Sequence, residues 1–182
     1  MILPTYRDVD KGELPPVFLS TIHSNSYRGP LRNSAPASIA WSGTNRIIYI
    51  PFFLSQGSTV YRYFWLNGAT VGTNNFQVGV YTTAFAAVNR GTSTLSAGTA
   101  NALQFDNVTD YYLSAGRYYM AMWGSGTTAT TFALAGVQQA PMGAYYETNA
   151  GGLPTTGTPA DTATTTTPRI PVFGLALRAT DP

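Results

Sequence analysis

The segment RIIYIPFFLSQGSTVYRYFWLNGATVGTNNFQVGVYTT, residues 46–83, decides the fold class of this chain. Its apolar runs are short and rich in β-branched and aromatic residues, which favour strands. No apolar period of 3.6 residues continues long enough to indicate a helix. Turn-forming residues separate the runs at Gln56-Gly57, Asn67-Gly68 and Asn74-Asn75. The segment therefore predicts three successive β-strands.

The pattern of short β-like runs continues towards the end of the chain. Turn-forming residues recur about ten residues apart, a spacing typical of antiparallel sandwiches and barrels. The sequence therefore predicts an all-β domain over residues 46–182, an antiparallel jelly-roll-like sandwich. Its later strands are expected in SAGRYYMAMW (114–123), TTFALAG (130–136) and VFGLALRA (172–179), with weaker strands in NRGTSTLS (89–96) and NALQFDNVT (101–109).

Residues 1–45 differ from this pattern and are predicted to form an extended N-terminal arm. Prolines at positions 4, 15, 16, 30 and 36 preclude a long helix and favour extended backbone. A solvated terminal tail is one interpretation. We favour the other, a docking arm that orders on a neighbouring subunit. The side chains expected to contact that partner are Tyr6, Arg7, Asp8, Asp10, Lys11 and Glu13.

A stretch rich in Thr, Gly and Pro lies at about residues 147–169. The run RIPVFGLALRA (169–179) after it has the pattern of a final strand that returns to the core. We therefore expect a long loop within the domain and not a linker between domains. Loops of this length usually carry a function or an interaction surface.

Two of the predicted strands are apolar on both faces. Strict alternation in TVYRYFWLN (59–67) places Val60, Arg62 and Phe64 on one face, opposite three aromatic rings. GRYYMAMW (116–123) has the same character, whereas a half-solvated strand alternates apolar with polar residues. Both faces should therefore be covered, by a loop of the same chain or by a subunit interface. The residues assigned to core or interface are Tyr61, Tyr63, Trp65, Tyr119 and Trp123.

Only 10% of the residues are charged, whereas a soluble domain usually carries about a quarter. The net charge is +2, and no cluster of Lys and Arg is present. A field of this size does not attract phosphates or anionic lipids, which argues against nucleic-acid and membrane partners. The chain has no Cys, so disulfides and thiolate metal sites are excluded.

The first residues lack the basic and apolar regions of a signal peptide. No apolar run approaches the roughly 20 residues that span a bilayer. The surface composition is nevertheless typical of proteins that work outside the cell. Virion components reconcile the two observations, because they assemble in the host cytoplasm and are exposed on the particle.

Three segments resemble a module of tailed-phage virion structural proteins: VYRYFWLNGATV (60–71), FQVGVY (76–81) and LSAGRYYMAM (113–122). Phage tail, fibre and capsid-decorating proteins with jelly-roll-like sandwiches contain similar phrases. Bacterial carbohydrate-binding sandwiches contain similar phrases as well. The resemblance covers under half of the chain, and it implies a fold and a virion context more than a particular function.

Groups that perform catalysis are scarce. His23 is the only histidine, and no G-x-S-x-G nucleophile elbow accompanies it. Outside the arm, the C-terminal end and the Thr-rich stretch, the remaining acids are Asp106, Asp110 and Glu147. We expect Asp106 and Asn107 to form a turn and not one half of a paired-carboxylate hydrolase site. A calcium site at Asp106, Asn107 and Asp110 stays open. The prediction is a protein without enzymatic activity or cofactor.

Aromatic side chains are the better candidates for binding. Trp65 and Trp123 lie inside predicted strands, where a sandwich core needs large rings. Tyr145 and Tyr146 lie beside the Gly- and Thr-rich stretch, so they are the candidates for exposed rings that contact a glycan.

These observations together predict a structural virion protein of a tailed bacteriophage, a decoration (cement) protein that binds and stabilises the outer capsid. The expected partners are the major capsid protein or other virion subunits, and further copies of the chain, with a trimer expected first. The alternative is a tail-fibre or baseplate module that recognises carbohydrate on the host surface.

Overall fold

The computed structural model describes residues 17–21, 36–92, 98–135, 143–160 and 169–178. These residues form β-strands and no helix, which confirms the predicted all-β class. Within the same ranges, no helix is long and apolar enough to span a membrane. The strands are Val17–Ser20 (β1), Pro36–Ala40 (β2), Arg46–Leu54 (β3), Ser58–Leu66 (β4), Phe76–Thr82 (β5), Ala87–Arg90 (β6), Leu103–Leu113 (β7), Gly116–Gly124 (β8), Thr130–Ala135 (β9), Tyr145–Thr148 (β10), Arg169–Pro171 (β11) and Phe173–Arg178 (β12).

Two antiparallel sheets pack face to face, as a β-sandwich. The four-stranded sheet has the order β1-β12-β4-β7, and the five-stranded sheet has the order β10-β3-β8-β5-β6. A third sheet, β11-β9-β2, joins the four-stranded sheet through Val172, whose carbonyl accepts from Leu66 N and whose amide donates to Phe132 O. One strand run, residues 169–178, therefore passes from the small sheet into the large one.

The main core fills the space between the two large sheets. The four-stranded sheet contributes Val60, Tyr63 and Trp65, and the five-stranded sheet contributes Ile48 and Met120 among others. Trp41 and Trp65 both meet the ring of Phe76 edge-on, with centroids 5.4 and 6.1 Å away. Edge-to-face contact is a favoured geometry for aromatic pairs. The large rings of the sequence thus serve mainly to fill the sandwich.

A β-bulge in β4 corrects the predicted faces of that strand. Val60 pairs with Leu177 and Arg62 with the preceding residue of β12, so Tyr61 is the extra residue. Val60 consequently points into the core with Tyr63 and Trp65, and the predicted grouping of Val60 with Arg62 is wrong. The pleat alternates strictly only until a bulge inserts a residue, and strand periodicity in a sequence does not reveal the insertion.

Both faces of β8 are covered over residues 120–123, as the sequence predicts for the strand, whereas Arg117 near its start is exposed. Met120 and Met122 point into the main core, whereas Ala121 and Trp123 point to the opposite face, where a second apolar cluster lies. Leu153, which follows β10 in the chain, packs into this second cluster. Of the two coverings that the sequence left open, a segment of the same chain covers this face.

The sandwich begins earlier than the predicted boundary at residue 46. β1 pairs with β12, β2 pairs with β9, and Trp41 is buried in the core. Pro36 is compatible with a strand because it opens β2, an edge strand of its sheet, where proline is tolerated. The six residues expected to contact a partner, between Tyr6 and Glu13, lie outside the described residues, as does His23.

The segment predicted as a weak strand, NALQFDNVT, belongs to the longest strand, β7. Asp106 and Asn107 are paired residues inside β7 and do not form the expected turn. Asn and Asp are depleted in strands on average, but pairing with β4 overrides that local preference here. β7 is the outer strand of its sheet among the described residues.

Candidate functional site

Residues 149–157, here called the strap, cross the outer face of the five-stranded sheet. Trp123 Nε1 donates to Asn149 O at 2.7 Å, Tyr81 OH donates to Pro154 O at 2.5 Å, and Arg90 Nη1 donates to Leu153 O at 2.6 Å. In each of these bonds, a side chain of the sheet donates to a backbone carbonyl of the strap. The strap therefore covers the half of the outer face that contains the second apolar cluster. Part of the Thr-rich stretch thus serves to cover the sheet.

Glu147 fixes the start and the end of the strap together. Its Oε2 accepts from Tyr49 OH at 2.9 Å and from Thr158 N at 3.0 Å. Tyr49 is fully buried. Burial, with the hydrogen bond to Glu147, raises the pKa of the Tyr49 hydroxyl far above its usual range. This tyrosine therefore remains a neutral hydrogen-bond donor.

The outer face of the same sheet carries an open cleft beyond the end of β10. β10 pairs with β3 only along residues 46–49, and Pro51 follows that pairing. Pro51 lacks the amide that a continuing partner strand would need. The cleft has a volume of about 540 Å³, and its lining includes Pro51, Phe53, Thr83, Arg117 and Tyr119. We call this set the outer cleft.

Strand register brings the lining residues of the outer cleft together. Phe53 of β3 lies opposite Arg117 of β8, and Pro51 lies opposite Tyr119. Directly opposed residues share a face of an antiparallel sheet, so these four form one floor. Phe53 is 45% exposed, and Arg117 is also exposed. The floor thus combines accessible apolar surface with an accessible cation.

Aromatic rings support Tyr119 from the strap side of the cleft. Phe85 stacks on it with centroids 4.6 Å apart, and Tyr145 meets it edge-on at 5.7 Å. Phe85 has a backbone φ of 59°, in the left-handed region that few bulky residues adopt. Bonds from Phe85 N to Thr82 O and from Gly157 N to Phe85 O hold that conformation. Burial, then the neighbouring Tyr145, raises the pKa of Tyr119.

The described acids all have partners away from the outer cleft. Asp106 is buried and accepts from Thr92 N at 2.7 Å, Asp110 pairs with Arg178 at 3.4 Å, and Glu147 bonds to Tyr49. The guanidinium of Arg117 makes no hydrogen bond or ion pair with any residue in the described ranges, and only its backbone is paired, in the ladder of β3 and β8. The cleft is therefore suited to binding an anionic group, and its described lining contains no pair of acids for proton transfer.

The three residues of the possible calcium site do not converge on one point. Asp106 faces inward opposite Tyr63, whereas Asn107 accepts from Arg62 Nε at 2.6 Å on the outer side. Asp110 interacts with Arg178. Among the described residues, no group of three or more His, Cys, Asp or Glu side chains is placed to hold a metal ion.

The structure places the remaining predicted residues as follows. Tyr63 and Trp65 lie in the main core, and Trp123 lies in the second cluster. Tyr61 is half-buried on the outer side of the four-stranded sheet. Tyr145 and Tyr146, expected as exposed rings, are half-buried on opposite faces of β10. Pairing with β3 places β10 in the sheet, so that Tyr146 packs against the main core and Tyr145 against the second cluster.

A second accessible surface lies on the outer side of the four-stranded sheet. Leu103 and Phe105 are each 40% exposed and Tyr112 is 60% exposed, and we call these three residues of β7 the β7 strip. Arginine side chains stack beside it: Arg62 lies 5.0 Å from the ring centroid of Phe105, and Arg178 lies 4.4 Å from that of Tyr61. Such distances allow cation–π attraction.

Sequence reasoning missed both surfaces. Arg117 and Phe53 are 64 positions apart in the chain, and only the register of β3 against β8 places them side by side. The sequence predicts a weak strand here, but the exposure of Leu103, Phe105 and Tyr112 depends on which face of β7 packs on the core, and the local pattern does not show that. The available signal was that Leu103, Phe105 and Asn107 occupy every second position, and so share one face of the strand.

No protein-family model, curated protein or solved structure matches this chain. The outer cleft and the β7 strip are therefore the observations from which a function is inferred.

Proposed function

We propose that the chain is a non-enzymatic structural protein of a tailed-phage virion, a decoration protein that binds the outer capsid. The sequence supports this through its low charge and through the resemblance between residues 60 and 135. The observation that carries the proposal is the β7 strip. Three of the five large hydrophobic side chains that are exposed in the described residues lie on this one strand.

The composition around the β7 strip is that of a protein-binding surface. Leu103, Phe105 and Tyr112 lie on the same outer face, because their neighbours Asp106, Tyr111 and Leu113 point inward. Aromatic residues and Arg are enriched in the cores of protein interfaces. Removing such surface from water contributes about 25 cal/mol per Å² before the costs of association.

The proposed mechanism is mechanical. Each copy would bury its β7 strip on the capsid, across the boundary between neighbouring subunits, and would hold those subunits together. A surface with few charges suits this arrangement, because many clustered copies with a large net charge would repel one another. A homo-oligomer, first of all a trimer, would place several strips around one symmetry axis.

Capsid binding by purified variants tests the proposal. The double variant Leu103→Ser, Tyr112→Ser should lose occupancy on capsids that lack the protein, because its docking surface is polar. The matched control is Val88→Ser, since Val88 is 38% exposed but lies on the other sheet. Equal thermal melting of the three proteins would show that folding is retained. Unchanged occupancy of the double variant would contradict the proposal.

The second candidate function is a tail-fibre or baseplate module that binds carbohydrate on the host surface. The outer cleft favours it, because the cleft presents aromatic rings beside an exposed cation. Copy number separates the two functions. Decoration requires copies over the whole capsid, on the order of hundreds, whereas a tail module requires a few to some tens.

A further inference from the structure

The outer cleft has the dimensions of a site for a small ligand. Its volume of about 540 Å³ lies within the range of roughly 300–1,000 Å³ that is usual for such sites. It is lined by rings and by few polar groups, among them the Thr83 hydroxyl and the Arg117 guanidinium. Sites that combine an apolar lining with a few polar groups bind molecules that have both an apolar face and polar edges.

The floor of the cleft suits a flat, partly apolar ring. Phe53 and Tyr119 are diagonal neighbours on one face of the sheet, with Pro51 directly opposite Tyr119 and Arg117 directly opposite Phe53. A pyranose ring carries C–H groups on its faces and hydroxyls at its edges. Packing such a face on an aromatic floor removes apolar surface of both partners from water. A saccharide fits this floor better than an extended peptide, which has no rigid apolar plane.

Arg117 determines the charge that the ligand should carry. A guanidinium binds a carboxylate through two parallel hydrogen bonds, which is among the stronger polar contacts in proteins. No acid in the described residues neutralises Arg117, because Asp106, Asp110 and Glu147 have the partners given above. A neutral sugar would leave this cation without a matching group.

We infer that the outer cleft binds a carboxylate-bearing saccharide, such as a glycan that contains uronic or sialic acid. Arg117 would hold the carboxylate, and Phe53 and Tyr119 would pack against the sugar ring. Phe85 and Tyr145 already fix the ring of Tyr119, so little side-chain ordering is needed on binding. The inference rests on the second candidate function, since it names the ligand class of that site.

Binding to pairs of immobilised oligosaccharides tests the inference. Each pair would contain an acidic glycan and the same glycan with its carboxyl groups reduced to alcohols. The wild-type protein should bind the acidic member about tenfold or more tightly, and added salt should reduce the difference. Arg117→Gln should remove the preference. Arg178→Gln is the matched control, because Arg178 is an exposed arginine on the outer side of the other sheet, and it should bind as wild type.

Phe53→Ala separates the contribution of the rings from that of the charge. This exposed side chain can be truncated without opening the core, and the variant should bind both members of each pair more weakly. Equal binding of acidic and reduced glycans by the wild type would overturn the inference and leave a carbohydrate function standing. Binding to neither member would overturn both. Displacement by an acidic peptide, with no glycan bound, would also overturn it.

Discussion

The ring of Phe85 lies flat against the ring of Tyr119, with centroids 4.6 Å apart and an angle of 16° between the planes. Phe85 reaches this position from a left-handed backbone conformation, with φ of 59°. Such a conformation is unfavourable for a bulky residue and persists where surrounding contacts impose it. These contacts are the bond from Gly157 N of the strap to Phe85 O and the stacking of Phe85 on Tyr119 of the outer cleft. Phe85 therefore contacts both the covered half and the open half of the outer face.

Substitutions at Phe85 should reverse the usual order of glycine and alanine. Both remove the ring and should lower the free energy of unfolding by about 1–3 kcal/mol. Glycine adopts a positive φ without the strain that alanine incurs, about 1 kcal/mol. Phe85→Gly should therefore unfold at a higher urea concentration than Phe85→Ala. An alanine variant as stable as the glycine variant, or more stable, would contradict the role assigned to backbone strain.

The bond between Tyr49 and Glu147 should contribute measurably to stability. Tyr49→Phe leaves the ring in place and removes the hydroxyl that donates to Glu147 Oε2. We expect a loss of about 1–2 kcal/mol in the free energy of unfolding, because a partly buried carboxylate loses a donor. Tyr112→Phe is the control, since Tyr112 is 60% exposed, and its unfolding midpoint in urea should not change.

Alkaline pH should destabilise the protein. Burial is the largest cause of the raised pKa values of Tyr49, Tyr63, Tyr81 and Tyr111. Above pH about 10 the unfolded chain releases these protons while the folded chain keeps them. The stability present below that pH is therefore lost as pH rises, by up to about 1.4 kcal/mol per pH unit for each tyrosine. Urea unfolding at several pH values between neutral and alkaline measures this slope.

The Tyr81→Phe variant provides the control for the alkaline effect. It should show a smaller slope than the wild type, because one buried hydroxyl no longer titrates in the unfolded chain. Stability that is constant across the alkaline range would show that these hydroxyls are accessible to water in the folded protein.

Gly174 should be required for β1 to pair with β12. A Cβ at this position would collide with the backbone carbonyl of Leu19 and would lie 2.8 Å from Ser20 Cα. Gly174→Ala should therefore displace β1 and accelerate hydrogen exchange of its amides. Gly151→Ala is the control, because a Cβ there meets only Asn149 Oδ1 at 3.8 Å. Equal exchange of β1 amides in both variants would contradict the described pairing.

The strands and the all-β fold class could be predicted from local sequence, because β-branched and aromatic runs between turn residues favour strands over helices. The run RIIYIPFFL, for example, is β3 from end to end. The bulge at Tyr61 and the strand character of Asp106 depend on pairing with neighbours, which the local pattern does not contain. The outer cleft depends on the register that sets Phe53 opposite Arg117. Sites made of distant residues need the topology before they become visible.

The central proposal, that the chain decorates the capsid of a tailed phage, is tested most directly by locating the protein on purified phage particles. Electron microscopy of particles that carry a label on this chain would show where the copies lie and how many there are. Decoration of the outer capsid predicts label over the whole capsid surface, with loss of that label in the Leu103→Ser, Tyr112→Ser variant. Label confined to the tail, or particles without label, would contradict it.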